Sequence, residues 1–367
     1  MAEVTESIRL LTHAQKKQLI KETWQRRNNG YVPFFVESGT SLKATRSLIT
    51  DHSRDLSVQE TQLAIADQVH DYGLPSLKVN VGIGVMAAAF GCGQILDDHA
   101  DPWIRPIIDD DRLDMLAKIQ SPMSSGSGIE SIVSAKIDHF NQNSRRQIRF
   151  VNIPSPLLTA SLMWDYTSFL SALLLSPSDV HLLLEKITTA TIEFLMHVKS
   201  QIRDLFAYTH ESVYIPPECA LRVSDDVAAI LSAEQYREFG VRYNDRIAEV
   251  FGGIVVHSCG DVRNALPAML ETRNLLGIDI VAPQNDWELI RGLAGGRTAL
   301  CMRYFDWDFP DAAPPDLSDY SRRLVDYFGP EGLLLWTHTP TQSEARELSE
   351  RLASELTGSG SNWIPSV

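Results

Sequence analysis

Basic residues are the scarcer charge in this chain: 33 Lys and Arg stand against 47 Asp and Glu, a formal charge of −14. An acidic surface repels a nucleic-acid backbone or an anionic bilayer, so neither is expected as the main partner. Cysteine is sparse as well. Cys92, Cys219, Cys259 and Cys301 are spread widely over 367 residues, which excludes a disulfide framework and fits a reducing compartment. No apolar run approaches the roughly 18 residues needed to span a bilayer. The polar start MAEVTESIRLLTHAQKKQ has no apolar stretch ahead of a small-residue cleavage site, so a cytoplasmic location is expected. Nor is there a repeat or a low-complexity tract.

What is present is an ordinary globular composition, 44% hydrophobic and 22% charged, on a chain long enough to build a large core. Short β-like runs alternate with longer helical patterns. The strand candidates are Tyr31–Val36, Leu77–Val81, Ile148–Asn152, Ala220–Val223, Gly253–Val256, Ile278–Ala282, Thr298–Met302 and Leu333–Trp336. Several are apolar on consecutive residues, the pattern of strands covered on both faces. Regular alternation with about eight strands predicts an α/β fold of the (β/α)8 TIM-barrel type, preceded by an N-terminal helical extension. The expected organisation is an extension over 1–30, a barrel over 31–356 and a tail over 357–367. Ser57 with Glu60, Ser232 with Gln235 and Thr341 with Glu344 have capping-box spacing. Ser176 and Pro177 announce the helix that carries His181–Phe194. Pro122–Gly128 and Pro310–Pro315 read as loops.

Chemistry is concentrated in GGIVVHSCGDVRNALP, residues 252–267. A buried strand runs straight into His257-Ser258-Cys259-Gly260, and the C-terminal ends of barrel strands are where catalytic groups gather. Residues i and i+2 of an extended chain share a face, so imidazole and thiolate can converge on one ion, and both are good zinc ligands. The alternative is a core histidine beside a buried thiol. Asp225 and Asp226 follow the strand Ala220–Val223, where a polar contact in the pocket competes with helix capping. Asp261 is expected to cap a helix over Val262–Met269. Glu37 and Asn80 fall at the ends of the first two strands. The Gly82-Ile83-Gly84 turn lacks a phosphate-loop lysine and is a poor nucleotide signal, and the small residues Ala87–Ala89 after it suggest close packing. Trp164 is a candidate cavity wall. Arg303 is a candidate anchor for a substrate carboxylate. Cys301, on the seventh strand candidate, is either a ligand or a buried structural thiol.

VVHSCGDVRNALPAMLETRNLLGIDIVAP, together with LRVSDDVAAILSAEQYREFGVRYNDRI and IPSPLLTASLMWDYTSFLSALLLSPSDVHLLLEKI, resembles the uroporphyrinogen decarboxylase superfamily. The resemblance runs from about Ala64 to Leu356 and is most specific over Leu221–Pro283. It is closer to the zinc methyltransferases that move methyl groups between corrinoid proteins and thiols than to the decarboxylases. It implies zinc held by His257 and Cys259, with a third ligand at the end of the last strand, where LLLWTHTPT places His338. Cys301 is the rival for that position. The decarboxylase branch carries a histidine near its substrate at the position of His338, which implies a catalytic role there; Asp225, at the end of the strand Ala220–Val223, is the other catalytic candidate. Glu37, Asn80, Trp164, Asp226 and Arg303 would contact substrate. The resemblance implies a small-molecule substrate, a corrinoid carried by a partner protein, and a homodimer. Two departures stand out. Cys301-Met302-Arg303-Tyr304-Phe305-Asp306 replaces the family's Gly-Asn-x-Asp-Pro, and Phe34–Gly39 lacks the arginine pair that grips porphyrinogen carboxylates. The alternative activity is a metal-independent decarboxylase or other lyase acting on a small carboxylated substrate.

Overall fold

Unbroken apolar runs need cover on both faces, and six of them assemble side by side. The computed structural model describes residues 8, 10–39, 43–109, 115–119, 128–150, 153–207, 213–309 and 315–356. Among these, β1 (Phe34–Ser38), β7 (Leu221–Ser224), β8 (Ile254–Ser258), β9 (Leu275–Val281), β10 (Ala299–Tyr304) and β11 (Leu333–Thr339) form one all-parallel sheet in the order β1-β11-β10-β9-β8-β7. A second parallel sheet has the order β2 (Leu77–Lys78), β5 (Ile148–Arg149), β6 (Leu205–Ala207). The chain beyond β5 joins the two: Pro154 bridges Ser224, and the Ser155 amide donates to the Ser224 carbonyl at 2.7 Å. On the other side the Tyr72 amide donates to the Phe34 carbonyl at 3.1 Å. The parallel strands thus curl into the expected barrel, with helices outside.

All eight strand candidates overlap an observed strand, though boundaries shift by up to three residues. β9 begins at Leu275 and β11 runs on to Thr339. Two features lie outside that reading: β6, and an antiparallel hairpin of β3 (Gly93–Ile95) and β4 (Trp103–Arg105). The hairpin explains the Gly82–Gly84 turn. A Cβ on Gly84 would lie 2.1 Å from the Ile104 side chain, and one on Gly82 would lie 2.9 Å from Pro102. These glycines admit a close neighbour.

Helix starts follow the capping chemistry at Ser232–Gln235 and at Thr341–Glu344. Ser57 is a correction. It sits inside the helix His52–Ala66, whose start is capped by Asp51 accepting from the Arg54 amide at 2.9 Å; an aspartate caps as well as a serine, and nothing in residues 52–56 opposes helix. Pro177 opens a helix that continues to Gln201, although Ser176 makes no side-chain cap. The N-terminal helix His13–Trp24 carries a Thr12–Gln15 capping box. Its Trp24 indole donates to the Tyr214 carbonyl at 2.8 Å and lies against Gly277, where a Cβ would come within 2.4 Å of the ring. This helix therefore packs at the N-terminal ends of the strands, away from His257. Residues 122–127, 310–314 and the tail 357–367 lie outside the described residues. No single helix among those described is long and apolar enough to cross a membrane.

A buried ion pair ties the β2 side together. Lys136, fully buried, donates to Asp55 at 2.7 Å, to the Leu48 carbonyl at 2.8 Å and to the Asn80 carbonyl at 3.2 Å. Burial pushes the Lys136 ammonium below its usual range, against the pull of Asp55. Such a pair persists in an apolar interior only when both charges are matched and hydrogen-bonded.

Candidate metal centre

β8 delivers His257 to the C-terminal rim, and the chain then turns through Cys259 and Gly260, whose φ of +90° suits glycine. The shared face of residues i and i+2 has the anticipated result: His257 Nε2 lies 3.3 Å from Cys259 Sγ. A third donor comes from the neighbouring strand. Ser224 pairs in register with His257, so the residues after β7 pass alongside the turn. Asp226 Oδ1 accepts the Cys259 amide at 2.8 Å and stands 3.9 Å from His257 Nε2. Ligand atoms of Asp226, His257 and Cys259 all lie within 4.8 Å of one another.

Behind the imidazole is a buried charge pair. His257 Nδ1 lies 3.3 Å from Asp279 Oδ2 and 3.1 Å from the Asp279 carbonyl. Asp279 in turn accepts from Arg222 Nε at 2.7 Å, and all three side chains are buried. Burial and the Arg222 charge both disfavour an imidazolium, yet the Asp279 carboxylate and the Cys259 contact outweigh them and raise the His257 pKa to about 9. Burial works to raise the Asp279 carboxyl, but Arg222 and His257 overcome it and hold the group well below its usual range. Arg303 flanks the thiol. Its guanidinium lies 3.9 Å from Cys259 Sγ, pairs with Asp308 at 3.3 Å and covers the Phe305 ring at 4.9 Å.

Of the residues singled out by sequence, the structure brings Asp226 and Arg303 to the His257–Cys259 pair. Cys301 and His338 do not join the cluster, and the reason is register. Cys301 pairs with Asp279, which pairs with His257, so Cys301 stands level with His257 but two strands away, about 10 Å along the wall. His338 is one strand further, and its nitrogens have other neighbours: Nε2 donates to the Gly39 carbonyl at 2.5 Å and Nδ1 faces Asp306 at 3.5 Å. Trp307 packs on its ring at 4.5 Å.

Glu37 pairs in register with His338 and is half-buried, at the far side of the rim. Asn80 turns onto its own chain, accepting the Gly82 amide at 3.3 Å. Trp164 is a wall residue, 1% exposed and packed on Phe169. Asp225 caps nothing. Its carboxylate is fully buried and accepts from Tyr236 at 2.8 Å, and burial, outweighing these hydrogen bonds, raises its pKa to about 6. Asp261 is a second correction: the helix after it begins at Leu266, and its carboxylate accepts the Arg263 amide at 3.0 Å in a tight turn of its own. The sequence reading passed over Arg222 and Asp279. Each is a lone charge inside a run that otherwise reads as a doubly covered strand, and such charges are buried only in pairs.

An α/β barrel with a His-Cys-Asp cluster on its C-terminal rim defines a class of barrel with a candidate metal centre. The sequence matches the uroporphyrinogen decarboxylase (URO-D) family over residues 15–204, just over half of the chain, and the protein belongs to that family. The matched span ends before Leu221–Pro283, so the reading of the His257–Cys259 unit rests on its geometry. Among solved structures, the fold is similar to a methyltransferase from Methanosarcina mazei, with a TM-score of 0.64 at 15% identity, covering 92% of this chain and 97% of that one. A weaker likeness is to a protein described as a vitamin-B12 independent methionine synthase from Listeria monocytogenes, with a TM-score of 0.46 at 11% identity, covering 90% and 98%. No curated protein matches the sequence.

Proposed function

We propose that this protein is a zinc-dependent methyltransferase that moves a methyl group from a donor such as a methylated corrinoid, carried by a partner protein, to a thiol acceptor. The observation that carries this reading is the convergence of three donor types with an oriented imidazole behind them. His257 Nε2 lies 3.3 Å from Cys259 Sγ and 3.9 Å from Asp226 Oδ1, close to the separations that tetrahedral bonds of about 2.0–2.3 Å to a single ion impose on neighbouring ligands. Nitrogen, thiolate and carboxylate together suit zinc, and three protein ligands leave a position open for substrate.

Asp279 keeps the proton of neutral His257 on Nδ1, so Nε2 faces the cluster, the arrangement typical of metal-binding histidines. Arg222 balances the Asp279 charge, so the supporting shell adds no net charge to the site. The Cys259 amide fixes one oxygen of Asp226, and the buried Val255–Val256 backbone keeps water from the rear. When bound, zinc supplies Lewis acidity that favours the thiolate form of an acceptor at neutral pH. Arg303 places a positive charge on the substrate side, where a negatively charged part of the acceptor could be held.

Arg303 also supports a second reading, a metal-independent decarboxylase or lyase on a small carboxylated substrate, in line with the family's name. Methyl transfer from methylcobalamin to small thiols, assayed with and without a chelator, separates the two. Chelator-sensitive transfer supports the first reading. Release of carbon dioxide unaffected by chelator supports the second.

A further inference from the structure

Beneath the cluster lies a buried polar network that the proposed reaction does not use. Asp225 immediately precedes Asp226, and its amide donates to the carbonyl of His257 at 2.7 Å. Its carboxylate accepts from the Tyr236 hydroxyl at 2.8 Å and from Asn244 Nδ2 at 3.4 Å, and Asn244 also donates to the Tyr236 oxygen at 3.2 Å. Asp225, Tyr236 and Asn244 are all 0% exposed. Three desolvated polar side chains in an apolar wall are costly, and these offset part of that cost by meeting at one Asp225 carboxylate oxygen and the Tyr236 hydroxyl.

The backbone that carries Tyr236 is shaped for this contact. The helix Ala233–Tyr236 passes into a π-helical turn over Arg237–Val241 before resuming at Arg242. A π turn inserts a residue into the helical ladder and is seldom kept without a reason. Here a Cβ on Gly240 would lie 2.7 Å from the Tyr236 ring, so glycine at 240 lets the ring lie flat on the turn. The widened turn also brings Asn244, eight residues on, to the same hydroxyl.

We infer that Tyr236 and Asn244 act through Asp225 as positioning residues for the metal centre. The Asp225 side chain is anchored below, and its amide holds the His257 backbone. The next residue then has one course, which carries the Asp226 carboxylate onto the Cys259 amide. The network thereby fixes the spacing of all three ligands without touching the ion. This rests on the proposed metal centre and adds what holds it open.

The test is cobalt(II) titration of the metal-stripped full chain, followed by visible absorption of the ion. Tyr236→Phe removes only the hydroxyl and keeps the ring on Gly240. Tyr31→Phe removes another buried phenol bond, to the Leu19 carbonyl at 3.0 Å, on the side of the barrel where the N-terminal helix packs. Orienting shells of this kind contribute about 10- to 100-fold in metal affinity. Tyr236→Phe should therefore weaken cobalt by at least about tenfold and shift its ligand-field bands. Tyr31→Phe should do neither, although both lower the thermal midpoint of the metal-free chain comparably. Asn244→Ala should follow Tyr236→Phe. Unchanged affinity and bands in Tyr236→Phe overturn the inference and leave the metal centre standing. A wild-type chain that gives no cobalt bands overturns both.

Discussion

Replacing Asp279 by asparagine keeps the shape of the wall and removes one charge, and its consequences can be worked through. In the metal-free protein the His257 pKa rises from an ordinary 6.5 to about 9 against the opposition of burial and Arg222, with Asp279 supplying most of the favourable contribution and Cys259 the rest. At about 1.4 kcal/mol per pKa unit, this is worth about 3 kcal/mol, counted once for the His257–Asp279 pair. A raised histidine pKa means the folded state holds its proton more tightly than the unfolded state. The stabilisation is therefore complete below pH 6.5 and is lost as pH rises through about 9. Without the Asp279 charge, burial and Arg222, which both lower the pKa, are opposed only by the Cys259 contact. Urea unfolding of metal-stripped wild type and Asp279→Asn, at pH 6 and at pH 9.5, gives the double difference. The account predicts that wild type loses about 3 kcal/mol more than the variant over that span. Other ionisations cancel in the comparison. Equal losses in the two proteins would refute the assignment of the His257 proton to Asp279.

The same pair sets metal uptake. Below pH 9 the ion must displace the His257 proton, so apparent zinc affinity should rise with pH and binding at pH 7.5 should release protons, as isothermal titration in buffers of different ionisation enthalpy would show. Lys136→Met strands the Asp55 carboxylate in the interior and should lower stability by about 3–5 kcal/mol, with cobalt binding unaltered. Asp51→Ala should cost about 1 kcal/mol by chemical denaturation, whereas Ser57→Ala, inside the same helix, should change stability by under about 0.5 kcal/mol.

The barrel was legible because its strands are written as runs such as Ile254–Val256 that suit only a doubly covered position. β6 was not, since Leu205–Ala207 is a three-residue strand with too little sequence to show a period. The hairpin β3–β4 escaped for a different reason: Ile95 and Trp103 face each other on an exposed surface, so no buried pattern marks it. At the site, the two-residue spacing of His257 and Cys259 was enough to place them together. The third neighbour depends on strand order, which a lone sequence does not display. Asp226 follows β7, the strand beside β8, whereas Cys301 and His338 belong to strands farther round the barrel. Their residue types matched the chemistry, and their register separates them from it.

Metal analysis of the purified chain tests the central claim most directly, with wild type beside Asp226→Ala, His257→Ala, Cys259→Ala, Cys301→Ala and His338→Ala. The account predicts stoichiometric zinc in wild type, its loss in the first three variants and its retention in the last two. A wild type without metal, or zinc retained in Asp226→Ala and lost in Cys301→Ala or His338→Ala, would contradict it.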